Sequence, residues 1–208
     1  PSAKRAAIIA FNNKDYTAAL NYDGKLRNTA MGPENLQAAY NGMMQSSFNL
    51  KQYETAALYA DTVLSLPGAD EALINNALSH KAKSLYNQGK QEDAFNLFKQ
   101  LQSSKNPAIA AEAHYYVAEA YYKQDKLKEA EAAANTTIKN AAGNEYLVVR
   151  SFILLADILV KQKDYFNAKA TLQSLVKNVK IPELKQEAAG KLEEVKAMEK
   201  KQSKVSEE

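Results

Sequence analysis

In this chain of 208 residues the side chains with the widest chemical scope are His80, His114 and the carboxylates Glu112, Glu119 and Asp157. A protein metal site needs three or four ligands at set spacings. Two histidines, no cysteine and no HExxH-like pair do not supply one. The carboxylates fall on polar helical faces, where solvation is the ordinary fate of a charge. The seven glycines are dispersed among turns and form no phosphate-cradling loop. No catalytic residue, metal or cofactor is expected, and the chain reads as a non-enzyme.

The formal charge is +3, and lysines alternate with Glu and Asp instead of gathering into a block. Tyrosines beside lysines could stack bases, but neighbouring acidic groups would repel phosphate, so no nucleic-acid partner is expected. The most apolar stretch, Tyr146 to Val160, is interrupted by Arg150, Ser151 and Asp157. It falls short of the roughly 20 apolar residues of a membrane span and reads as a buried helix. Without cysteine, either a reducing or an oxidising compartment is permitted. The chain starts at Pro1 with no initiator Met and no apolar signal core. We read that start as a processing boundary, with a signal peptide or further repeats expected upstream.

What positions these side chains is a repeat. Ala19, Ala56, Ala94, Ala130 and Ala168 recur at intervals of 37, 38, 36 and 38 residues, and Ala7, Met44, Ala82, Ala118 and Ala156 stand twelve positions before them. Two registered rows per period mean two helices per unit, because one hairpin cannot bury its apolar face alone. Within a unit the apolar spacing is helical: Phe152, Leu155, Ala156 and Leu159 fall at i, i+3, i+4 and i+7. After a polar turn, Ala168, Leu172, Leu175 and Val176 form a second stripe. Alanine at a close helix crossing lets the backbones approach, and a larger side chain there would push the axes apart.

Turn residues keep the same period. Pro33, Pro67, Pro107 and Pro182 fall between units, where a missing amide proton is harmless. Gly143 takes that place before the fifth unit, Gly89 suits a left-handed cap inside the third hairpin, and Asp15 and Asp164 suit N-caps of second helices. The units run over about 1–32, 33–67, 68–106, 107–142 and 143–181. A helix over 182–201 with Leu184, Ala188, Leu192 and Val195 on one stripe is expected to cover the last apolar face, followed by a frayed tail over 202–208.

The fourth unit, AEAHYYVAEAYYKQDKLKEA from Ala111 to Ala130, resembles the tetratricopeptide repeat, as does the KQKDYFNA of the fifth. The second and third units depart at Gln91, in place of the turn tyrosine, and at Lys81, on an apolar position. The first departs most: Asp23 and Arg27 stand where its second stripe should be apolar, so we expect an end unit or one rotated from the others. The resemblance covers about residues 3–180. It implies an all-α fold: a right-handed α-solenoid of about five hairpins with a C-terminal capping helix. The phrasing around Lys161 to Ser174 and Ile181 to Glu187 also resembles the end of long multi-repeat proteins of the Gram-negative envelope. That likeness implies a periplasmic or outer-membrane-associated setting.

In that family the free face of the first helices lines a concave groove for an extended peptide or a partner helix. Carried over unit by unit, its positions give Asn41, Gln45, Asn49, Asn76, Lys83, Asn87, Glu112, Tyr115, Glu119, Tyr122, Lys123, Arg150, Asp157 and Lys161 as candidate ligand contacts. An asparagine amide both donates and accepts, so it can pair with peptide backbone whatever the ligand's side chains are. The cluster of Lys, Asn and Arg that forms the two-carboxylate clamp of chaperone-binding members is not assembled, since Ile8 follows Lys4 by one turn where the clamp wants an asparagine. The implied function is a non-catalytic scaffold binding a protein or peptide in the groove. The alternative is a structural end section of a longer array that mediates assembly or self-association with the groove unused.

Overall fold

The computed structural model describes residues 2–141 and 143–205. Among them are eleven α-helices and no strand. They are α1 (Ala3–Asn12), α2 (Tyr16–Thr29), α3 (Pro33–Asn49), α4 (Tyr53–Ser65), α5 (Glu71–Asn87), α6 (Gln91–Leu101), α7 (Pro107–Lys123), α8 (Leu127–Asn140), α9 (Glu145–Lys161), α10 (Tyr165–Asn178) and α11 (Pro182–Val205). The chain divides into two compact units, residues 1–109 and 110–208. In the first, each helix packs on the next from α1 to α6, and α3 also meets α1 and α5. In the second, α8 packs on α9, α9 on α10 and α10 on α11, while α11 also meets α9.

Both small-residue rows lie inside. Ala19, Ala56, Ala130 and Ala168 have no exposed surface, Ala94 is 1% exposed, and all five residues of the upstream row are buried. In the first unit Met44, Ala60, Val63 and Ala77 form one core cluster flanked by Tyr40 and Tyr59. In the second, Val149, Ile153, Ala156, Ala168, Leu172 and Leu175 join Leu184, Ala188, Leu192 and Val195 of α11.

The turn inside each hairpin is the same three residues long, and its middle residue is left-handed: Lys14 (φ 62°), Lys51 (60°), Gly89 (79°), Asp125 (60°) and Lys163 (62°). The third turn residue donates its amide to a carbonyl five residues back, as Asp15 does to Ala10, Gln52 to Ser47, Lys90 to Leu85, Lys126 to Tyr121 and Asp164 to Leu159, all at 2.9 Å. This closure satisfies carbonyls that the end of the first helix leaves unpaired and reverses the chain. Gly89 has the conformation expected of it. At the other four turns a side chain tolerates a backbone that favours glycine, which the sequence does not announce.

Asp15 and Asp164 cap α2 and α10, accepting from the amides of Ala18 (3.0 Å) and Asn167 (3.1 Å). Asp70 and Asn144 do the same for α5 and α9. Pro33, Pro107 and Pro182 each begin a helix, and Pro67 lies between α4 and α5.

Two expectations need amendment. The first hairpin, expected as an end unit or one rotated from the others, packs on α3 through both of its helices, with Asp23 buried and Arg27 exposed. Lys81, on an apolar position, is half-buried and satisfied by an ion pair with Asp61. The last helix continues past Lys201 to Val205, and residues 206–208 of the expected tail lie outside the described residues.

Candidate functional site

The candidate residues gather on the first helices of the hairpins, in each of the two units separately. In the first unit Asn76 of α5 donates its side-chain amide to Asn41 Oδ1 of α3 at 2.9 Å, and Gln45 donates to the same oxygen at 3.2 Å. A ladder of amides thus ties α3 to α5. Asn49 and Asn87, one at each helix end, donate to their own helix at Gln45 O (2.8 Å) and Lys83 O (2.7 Å). Each then has its amide oxygen left as the group to offer a ligand. Lys83 lies 5.4 Å from the Phe48 ring centre, and Phe48 also meets Tyr53 and His80 edge to face. The aromatics of this face pack between hairpins.

A pocket of about 420 Å³ opens between α1, α2 and α3. Its walls are Ala7, Ile8 and Phe11 of α1, Leu26 of α2, and Ala38 and Gly42 of α3, with Asn41 and Gln45 at one side. Asp23 of α2 belongs to the same lining and is 6% exposed. Burial pushes its carboxyl up from 3.8 to about 7, since desolvation penalises the charged form. Gly42 is what admits it. A Cβ built on Gly42 would overlap the Asp23 carboxylate.

In the second unit six candidates, Tyr115, Glu119, Tyr122, Lys123, Arg150 and Asp157, line one smaller cavity of about 130 Å³. Here the polar groups are already joined. Tyr115 donates its hydroxyl to Glu119 at 2.7 Å, and Arg150 Nε donates to the Tyr115 oxygen at 3.3 Å. Arg150 Nη1 donates to both oxygens of Glu187 on α11, at 3.0 and 2.9 Å. Lys191, also on α11, donates to both oxygens of Asp157 at 2.7 and 2.9 Å. Burial drives the Tyr115 hydroxyl well above its ordinary value, and the Glu119 charge adds to that. Asp157 is raised by burial although Lys191 opposes the shift.

Lys161 donates to Asp125 at 3.0 Å and to the Tyr122 carbonyl at 3.2 Å, and lies 4.3 Å from the Tyr122 ring centre. Glu112 is half-buried on α7 and does not line that cavity. The structure therefore brings Asn41, Gln45 and Asn76 together in one unit and six candidates, Arg150 among them, in the other. Asn49, Lys83, Asn87 and Lys161 fall toward the ends of their helices.

Sequence reasoning missed four contributors: Asp23, Gly42, Glu187 and Lys191. Two of them carried a signal. Asp23 broke an apolar stripe, and Gly42 sits in mid-helix, where glycine costs about 1 kcal/mol relative to alanine and points to a close approach. Glu187 and Lys191 look like any solvated charges on an amphipathic helix.

Helix hairpins stacked in register, carrying amides and charges on their first-helix faces, define a helical-repeat scaffold. Two family models match the sequence: one described as "Tetratricopeptide repeat" over residues 150–179, and one described as "Anaphase-promoting complex, cyclosome, subunit 3" over residues 49–137. No curated protein matches the sequence. Among solved structures the chain is similar to the apo form of RapI, at 14% identity and a TM-score of 0.68. That match covers 83% of this chain and 51% of RapI, so the chain spans about half the length of that protein.

It is also similar to PlcR of Bacillus thuringiensis, solved with the peptide PapR7 and DNA, at 20% identity and a TM-score of 0.55, covering 93% of this chain and 72% of PlcR. TTC0263, a thermophilic TPR protein of Thermus thermophilus, gives 16% identity and a TM-score of 0.56, with 90% of this chain and 96% of the other covered. The matched segments carry tetratricopeptide-type repeats, and the solved structures share the helical-repeat fold of the chain. Families of this repeat are non-catalytic interaction scaffolds.

Proposed function

We propose that the protein binds a peptide segment or helix of another protein along the first-helix faces, with the first unit as the principal ligand surface. One observation carries this reading. The joined amides of Asn41, Gln45 and Asn76 border an open pocket with apolar walls, which pairs backbone-reading groups with a cavity for a side chain. PlcR, which has a similar fold, is solved in complex with the peptide PapR7, and this supports a peptide reading.

The second unit supports a different emphasis. Arg150 and Asp157 are engaged by Glu187 and Lys191 of the chain's own last helix, so this face serves cohesion of the array. Structural end section and peptide scaffold are thus divided between the units. An envelope setting rests on the phrasing of the sequence alone.

Affinity capture from extracts with wild-type protein and with Asn49, Asn87 and Lys123 each changed to Glu tests the reading. Capture of a partner by wild type that the triple variant loses is the expected result. Identical partner sets from both baits would refute it.

A further inference from the structure

The pocket between α1, α2 and α3 presents a carboxylate that nothing in the protein uses. Asp23 is 6% exposed, and among the described residues it has no hydrogen bond and no ion pair. Its pocket is walled mainly by Ala7, Ile8, Phe11 and Leu26, with the neutral amides of Asn12, Asn41 and Gln45 also in the lining. Lys4, the one basic side chain of the lining, is exposed and makes no ion pair with it. An unpaired buried carboxylate destabilises the fold, and a wall of methyl groups would be the better structural choice. Yet Gly42 opposite lacks the Cβ that would occupy the carboxylate's place. A costly mid-helix glycine and a costly buried acid are set against each other at a pocket of about 420 Å³ that opens to solvent.

We infer that this pocket is a specificity site for one basic side chain, lysine or arginine, of the bound peptide. This deepens the peptide-scaffold reading and rests on it. The cationic head meets Asp23, the aliphatic stem lies along Ile8 and Leu26, and the Phe11 ring offers its face to the charge. The Gln45 amide on the rim adds a neutral acceptor. Entry of the cation returns Asp23 to its ionised form, so the cost of burying the acid is recovered when the peptide binds.

The test is selection of a random dodecapeptide library on wild-type protein and on Asp23→Asn. That substitution keeps the side chain's shape and removes a buried charge, so the variant folds, as circular dichroism will verify. Wild type is expected to enrich peptides with Lys or Arg at one fixed position, and Asp23→Asn to lose that position while keeping the others. Replacing the enriched basic residue by norleucine or citrulline should weaken binding at least tenfold to wild type and less than threefold to Asp23→Asn. Gly42→Ala, which fills the carboxylate's place, should behave as Asp23→Asn does.

An enriched motif without a basic position, or the same basic motif on both proteins, overturns the pocket assignment and leaves the scaffold reading standing. A library that yields no enriched peptide on wild type overturns both.

Discussion

Asp23 carries the largest consequence at the scale of single residues. Its rise from 3.8 to about 7 corresponds to a preference of roughly 4 kcal/mol for the neutral form in the folded state. The folded value is raised, so the associated stability is fully present below pH 3.8, is lost as pH rises toward about 7, and changes no further above that. Stability measured by urea denaturation should therefore fall for wild type relative to Asp23→Asn between about pH 4 and 7. A difference between the two proteins that is constant with pH would contradict the burial of a chargeable group. A smaller effect of the same origin sits at Ser84, whose buried hydroxyl has no hydrogen-bond partner among the described residues. Ser84→Ala removes that polar atom and should stabilise by about 1 kcal/mol, read as a higher melting temperature.

At the scale of elements, the hairpin turn and the helix crossing decide how the array is built. Lys51 and Gly89 occupy equivalent left-handed positions, at φ 60° and 79°. Substitutions there should have opposite signs: Lys51→Gly relieves strain and stabilises by about 1 kcal/mol, whereas Gly89→Ala introduces it and destabilises by a similar amount. Melting curves of both variants check this, and equal signs would contradict the shared turn geometry. At the crossings, Ala118 and Ala168 are fully buried while Ala132 is exposed. Ala118→Leu and Ala168→Leu should each cost about 1 to 3 kcal/mol through overpacking, and Ala132→Leu should leave the melting temperature nearly unchanged. The last helix is an element of the same kind. It covers the apolar side of α9 and α10 with Leu184, Ala188, Leu192 and Val195, and it also supplies Glu187 and Lys191 to the polar side.

For the whole molecule, the two readings differ in assembly. A peptide scaffold whose last helix already covers its end should elute as a monomer near 23.0 kDa in size-exclusion chromatography with light scattering. A stable dimer would favour the structural reading instead. The sequence alone determined the repeat, the hairpins and the buried alanine rows, because helical period and turn chemistry act over a few residues and leave a local record. The same record placed Asp15, Asp164 and the prolines. It could not show that Asp23 lies within a pocket opposite Gly42, nor that Arg150 and Asp157 are engaged by α11. Those are encounters between residues of different hairpins, fixed by how helices stack, and a charge bears no mark in the sequence of whether water or another helix will face it.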